Sequence, residues 1–337
     1  MAKVTPNSDQ QKAIDTIDGP VLISAGPGTG KTATLVNRYA NMVNNHHVKP
    51  ENILMATFTE KAAKEIVTRI SSVIPDFDLN DVYIGTFHSI CLRIVRDNLA
   101  FIPTLKKNFT FMDDFDQKYF IYQRYYYDFR PLPHFNDLIS ETSGIWRNVS
   151  KVANLVNGLS EEKINPEQLL TDPNPQIVAL GEIKQKYDEL LQAKNRLDFA
   201  TIQLTAYQLL SENPEILKKY QDIFQYMMID EYQDTNSIQE QLIFLLSKTN
   251  NICVVGDDDQ SMYRFRGATI RNILEFKNKF KKGECSIIHL STNYRSAPEI
   301  IEFYNRWMKE YSETHFQWDG FELIKQFYLV LGKTTKS

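Results

Sequence analysis

Six short runs of the chain are almost wholly apolar: Val21-Leu22-Ile23, Ile53-Leu54-Met55-Ala56, Val82-Tyr83-Ile84, Met227-Met228-Ile229, Ile252-Cys253-Val254-Val255 and Ile287-Ile288-His289-Leu290. Short strands that are apolar on both faces, separated by helical patterns, predict an α/β fold with a parallel sheet covered on both sides. Polar residues follow the runs, at the carboxyl ends where open α/β sheets bind ligands. From about Leu92 to Arg196 the alternation stops and helical spacing takes over, as in Ile183, Tyr187, Leu190 and Leu191. That stretch reads as a helical insertion. The expected domains are therefore 1–91 and 197–300 as the two parts of the sheet domain, 92–196 as the insertion and 301–337 as a C-terminal extension. Within the insertion, Tyr119-Phe120, Tyr122, Tyr125-Tyr126-Tyr127 and Phe129 lie among Arg124 and Arg130. Core packing is the favoured reading of these rings, with stacking on nucleic-acid bases as the alternative.

The first strand runs into Ala25-Gly26-Pro27-Gly28-Thr29-Gly30-Lys31-Thr32, and a helical pattern follows. This is the context of a phosphate-binding P-loop: glycines let backbone N–H groups close around phosphate oxygens, and the next helix points its positive end at them. Lys31 is expected to reach the β- and γ-phosphates, and the Thr32 hydroxyl to ligate Mg²⁺. Ala25 stands where the pattern usually has glycine, so no positive φ is needed there.

Composition narrows the choices. The 337 residues, 42% of them hydrophobic, suffice for two domains. A net charge of −4 excludes a globally basic nucleic-acid coat, so any DNA contact must come from local cations and aromatics. The three cysteines are scattered, no Cys/His set has zinc-site spacing, and neither a secretory leader nor a membrane-spanning stretch is read. A cytoplasmic location is expected.

Tyr226-Met227-Met228-Ile229 ends in Asp230-Glu231. In a P-loop protein, an apolar strand closing on two carboxylates is Walker B chemistry: Asp230 holds Mg²⁺, and Glu231 polarises the attacking water.

The longer run Asp230-Glu231-Tyr232-Gln233-Asp234-Thr235 resembles the second motif of UvrD/Rep-like superfamily-one DNA helicases, and further motifs follow in that family's order. Gln10 with Ala13-Ile14 resembles the adenine-reading glutamine motif. Thr57-Phe58-Thr59-Glu60-Lys61-Ala62-Ala63 and Gly85-Thr86-Phe87-His88-Ser89 resemble two DNA-contact motifs. Val255 to Ala268 resembles the motif coupling nucleotide to DNA, and Asn293-Tyr294-Arg295-Ser296 the one closing the ATP site. The resemblance implies a RecA-like ATP-binding sheet with a helical insertion, carrying ATP-driven 3′-to-5′ movement on single-stranded DNA and strand separation. Its partners would be single-stranded DNA or a 3′-tailed duplex, with no membrane.

By that resemblance Tyr294 stacks on adenine and Arg295 contacts the γ-phosphate. Surface packing is the alternative for these two. Gln260, neutral and close in sequence to the platform of Phe265 between Arg264 and Arg266, can sense the γ-phosphate and pull the loop through Ser261 to Phe265; Tyr263, Phe265 and Arg266 are the DNA-contact candidates there, with core packing as the alternative for Tyr263. Each residue also has its own physical reading. Thr59 can cap a helix running through Ile70, while Phe58 and His88, at strand ends, offer a ring face or a donor to DNA. Phe265 between Arg264 and Arg266 offers a base-stacking face with cations beside it, core packing being the alternative. Phe265 falls where the family usually has tryptophan, so weaker stacking is expected there; Gln11 and Ala33 fall where it often has arginine, so lower nucleotide affinity or base selectivity is expected. Few residues follow Arg295, so the sequence reads as the N-terminal half of such a helicase, lacking the second RecA-like domain. The competing reading is a nucleotide-dependent binding module without translocation.

Overall fold

All six apolar runs are strands in the computed structural model, which describes residues 5–74, 77, 82–140, 142–257, 271–315 and 330–331. They are β1 (Val21–Ala25), β2 (Ile53–Thr57), β3 (Tyr83–Thr86), β6 (Tyr226–Ile229), β7 (Ile252–Gly256) and β8 (Ser286–Leu290), where β4 (Thr110–Phe111) and β5 (Arg196–Leu197) form a separate small pair. The six-stranded sheet is parallel throughout, in the order β3-β2-β6-β7-β1-β8. Val21 registers with Cys253 on one side and Ser286 on the other. β9 (Thr292–Asn293) pairs with β10 (Val330–Leu331). The chain leaves β1 toward β2 but leaves β7 toward β8, so the connections diverge from two adjacent strands. Such a switch opens a crevice at their carboxyl ends.

The chain divides into two compact units: Met1–Thr86 with Lys219–Thr235 and Ile243–Ser337, and Phe87–Lys218 with Asn236–Leu242. In the first, every residue of β1, β2 and β7 is buried. Each fully buried Leu or Ile side chain contributes about 1.5–3 kcal/mol. Helices α1 (Ser8–Asp15), α2 (Lys31–Asn44) and α3 (Glu60–Val73) follow the expected signals. Thr59 caps α3 by accepting from the Ala62 N–H at 3.1 Å. Arg38 of α2 is buried, and its guanidinium donates to the carbonyls of Ala13, Thr16 and Ile17 at the end of α1. A helix carboxyl end carries partial negative charge, which suits the cation.

The second unit is helical: α4 (Phe87–Asp97), α5 (Asp114–Arg124), α6 (Phe135–Leu138), α7 (Ile145–Glu161), α8 (Pro166–Leu169), α9 (Pro175–Lys194) and α10 (Phe199–Glu212). Ile183, Tyr187 and Leu191 are in its core, as their spacing predicts, with Phe120, Tyr125 and Phe129. The aromatic cluster is split, however: Tyr119, Tyr122, Tyr126 and Tyr127 are exposed. A helix directs only every third or fourth residue inward, and the π turn over Tyr125–Phe129 extends that spacing by one. Two helices cross the division, α11 (Pro214–Ile223) and α12 (Ser237–Leu246), and the sheet unit adds α13 (Arg271–Glu275) and α14 (Pro298–His315). No helix among the described residues is long and apolar enough to cross a membrane.

Candidate functional site

The P-loop leaves β1 at Ala25, which keeps strand backbone, and turns through Gly26, Pro27, Gly28, Thr29 and Gly30 into α2. Gly28 and Gly30 have φ of +74° and +86°, and neither has room for a side chain. A Cβ on Gly28 would stand 2.6 Å from Asn293 Oδ1, and one on Gly30 2.8 Å from Gln10 Nε2. Thr29 is buried and turns its hydroxyl back to the Gly26 carbonyl at 2.7 Å. Gly30, the N-cap of α2, offers no side-chain cap, so the N–H groups of that first turn are left for an anion. Lys31 and Thr32 open the helix. Lys31 Nζ lies 3.3 Å from Glu231 Oε2, bringing the loop and the acidic strand end together across the sheet.

Asp230, 5% exposed, ends β6; its N–H donates to the Ala56 carbonyl at 2.8 Å and its Oδ1 accepts from the Glu231 N–H at 3.0 Å. Burial, and then the Glu231 carboxylate, push the Asp230 carboxyl up to about 7, against the opposing pull of Lys31. The same three influences raise Asp234 to about 6. Asp234 Oδ1, Ser24 Oγ at β1 and Thr57 Oγ1 at the end of β2 are buried with no hydrogen-bond partner. Crowded carboxylates are donors of the kind that a hard divalent cation relieves, and Mg²⁺ takes one or two carboxylates and completes its shell with water and phosphate. No group of three or more His, Cys, Asp and Glu side chains among the described residues could hold a metal ion.

Gln10 is buried and fully engaged: its Nε2 donates to the Thr29 carbonyl at 3.0 Å, and its Oε1 accepts from the Asn7 N–H at 3.0 Å in a reciprocal capping box. Asn7 Nδ2 in turn donates to the Tyr294 hydroxyl at 2.8 Å. The Tyr294 N–H donates to the Gly28 carbonyl at 2.9 Å, and Asn293 Nδ2 to the Pro27 carbonyl at 2.9 Å. Gln10, Tyr294 and the P-loop thus form one cluster, with Arg295 exposed beside it. Asn7 and Asn293 are its connectors. An Asn three residues before a Gln is a capping signature, which Asn7 fulfils, and Asn293 opens the run Asn293-Tyr294-Arg295-Ser296 that resembles a nucleotide-site motif.

Of the DNA candidates, Phe58, Lys61 and His88 lie among the described residues. Phe58 is half-buried at the end of β2, and Lys61 is exposed on α3. His88, in the helical unit, has its ring edge-on to Phe199, centroids 4.7 Å apart, and Phe199 meets Phe111 at 5.0 Å. Gln203 Nε2 donates to the Phe199 carbonyl at 2.9 Å, which fixes the amide, and lies 3.0 Å from His88 Nε2, which therefore accepts. Gln260, Tyr263, Phe265 and Arg266 lie outside the described residues.

Comparison with known proteins follows the same lines. The family described as "UvrD/REP helicase N-terminal domain" matches residues 6–281. The ATP-dependent DNA helicases PcrA of Staphylococcus aureus and of Staphylococcus epidermidis are each 37% identical to the chain over 308 residues, which cover 91% of it. The chain spans only 40% of the length of these relatives.

Proposed function

The chain belongs to the UvrD/REP helicase family, and from that premise we propose that residues 1–337 are the ATP-binding motor half of a cytoplasmic DNA helicase. In the whole protein it would couple ATP hydrolysis to 3′-to-5′ translocation on single-stranded DNA and to unwinding of a 3′-tailed duplex. The observation that supports the reading is the approach of Lys31 Nζ to Glu231 Oε2 at 3.3 Å, since these are the two side chains read as the phosphate-binding cation and the water-activating carboxylate.

The roles follow from the chemistry of each side chain. Lys31 and the N–H groups of Gly26 to Thr32 bind the phosphates. Thr32 and Asp230 hold Mg²⁺, which neutralises charge on the β- and γ-phosphates when bound. Glu231 takes a proton from the attacking water. Gln10 and Tyr294 hold the adenine end, Arg295 and Gln260 contact the γ-phosphate, and Phe58, Lys61, His88, Tyr263, Phe265 and Arg266 hold DNA. Residues 92–196 serve as a helical insertion in this motor domain.

Stepping along DNA needs two gripping domains that open and close around ATP. An arginine supplied to the γ-phosphate from a second domain is worth about 10³–10⁵ in turnover, or about 4–7 kcal/mol. Residues 1–337 alone should therefore bind ATP and DNA, hydrolyse slowly and not unwind. The experiment compares DNA-stimulated hydrolysis and strand displacement on a 3′-tailed duplex, for residues 1–337 and then with a second motor domain supplied in cis. Unwinding by residues 1–337 alone would overturn the half-motor reading. ATP-dependent DNA affinity with no hydrolysis in either form would favour a binding module.

A further inference from the structure

We propose that Gln233 is a positioning residue for ATP hydrolysis, its carboxamide spanning from the Glu231 carboxylate to the main chain at the end of β7. The inference rests on the reading of Glu231 as the water-activating base. Gln233 lies two residues past Glu231, 2% exposed, in a single 3₁₀ turn over Tyr232–Asp234. Its Nε2 donates to Glu231 Oε2 at 2.8 Å, and its Oε1 accepts from the Asp257 N–H at 3.0 Å. A carboxamide meets both demands without taking up a proton, donating to a carboxylate with one end and accepting from a backbone amide with the other.

Two further observations show that the backbone is shaped around this bridge. Glu231 has φ of 51° and ψ of 46°, a left-handed conformation that a non-glycine residue keeps only when its surroundings impose it. The neighbour on β7 is Gly256, where a Cβ would stand 2.5 Å from Gln233 Oε1 and 2.7 Å from Ile273 Cδ1. Any larger residue would push the amide out of line. Glu231 Oε2 is also approached by Lys31 at 3.3 Å, but the proposed function draws Lys31 to the phosphates. The Gln233 amide then remains to hold the carboxylate. Because its far end is fixed to Asp257, a shift of the β7 end would re-aim Glu231, linking the base to the main chain that leads into the segment read as the nucleotide–DNA coupling motif.

The test uses residues 1–337 and the variants Gln233→Leu, Gln233→Glu and Glu231→Gln. Four quantities are measured: Mg-ATP affinity by calorimetry, hydrolysis in a single turnover with protein in excess, hydrogen exchange of the Asp257 amide, and thermal melting. Both Gln233 variants should bind Mg-ATP within about threefold of the parent yet hydrolyse it at least about tenfold more slowly, because binding does not use the base. The Asp257 amide should exchange faster in Gln233→Leu, which offers no acceptor, but not in the isosteric Gln233→Glu, which keeps an oxygen there and sets a second carboxylate against Glu231. Hydrolysis at the parent rate in both Gln233 variants, with Glu231→Gln inert, overturns the role of Gln233 and leaves the base standing. A parent no faster than Glu231→Gln overturns the base and this inference with it. Joint loss of binding, hydrolysis and cooperative melting in both Gln233 variants would assign the amide to folding and likewise overturn it.

Discussion

Replacing Gly28 by alanine tests how tightly the P-loop is locked to the loop after β8. The added Cβ would lie 2.6 Å from Asn293 Oδ1 and 2.8 Å from Arg295 Cβ, both inside van der Waals contact. Asn293 cannot give way freely. It is 3% exposed, its Oδ1 accepts from the N–H groups of Arg295 at 2.8 Å and Ser296 at 3.0 Å, and its Nδ2 donates to the Pro27 carbonyl at 2.9 Å. Moving it out of line sacrifices two or three partly buried hydrogen bonds at about 1 kcal/mol each. The left-handed φ of +74° adds about 1–2 kcal/mol for any residue with a Cβ. The expected loss is about 3–5 kcal/mol, a large part of the 5–15 kcal/mol that roughly spans native stabilities. Gly19 supplies the control, for it has the same φ of +74° with nothing within 4 Å of its Cβ position. Gly19→Ala should show the backbone strain alone. Urea unfolding followed by circular dichroism separates them: Gly28→Ala should be less stable than Gly19→Ala by about 2–3 kcal/mol. Equal losses in the two variants would refute the argument that Asn293 locks the loop.

Three further outcomes follow. Lys31→Ala should abolish Mg-ATP binding in calorimetry while changing stability by less than about 1 kcal/mol, since its pairing with the partly exposed Glu231 is screened; undiminished ATP binding would remove Lys31 from the site. Burial, with Glu162 and Asp198 nearby and opposed by a hydrogen bond from Asn236, raises the Glu161 carboxyl from 4.5 to about 7. A raised carboxyl favours folding while it is protonated, so that stability is full below about 4.5 and lost as pH rises through about 7. Glu161→Gln should thus melt higher than the parent at pH 8, by about 1–2 kcal/mol after discounting for solvent, and show no advantage at pH 4; a gap independent of pH would refute it. Phe265→Ala should weaken single-stranded DNA binding by about 1–3 kcal/mol in fluorescence anisotropy with ATP affinity unchanged, and equal DNA affinity would return that ring to packing.

The strands and the sheet class were legible in the sequence because strands buried on both faces must be apolar along their whole length, and that constraint is local. The P-loop and the Asp230-Glu231 strand end were legible for a related reason: phosphate and metal chemistry demands particular residue types at short, fixed spacing. The helical stretch showed its period, but the exposure of Tyr119, Tyr122, Tyr126 and Tyr127 beside the buried Phe120, Tyr125 and Phe129 did not follow from composition. Only the tertiary structure decided which distant groups meet. Lys31 and Glu231 are 200 residues apart, Asn293 and Pro27 are 266 apart, and Gln233 reaches Asp257 across 24. These contacts depend on strand order, which places β6, β7 and β1 side by side although the chain visits them far apart. The left-handed Glu231 and the close approach to Gly256 depend on it too, since a residue's backbone is forced into a rare conformation by the neighbours that surround it, and those neighbours come from other strands.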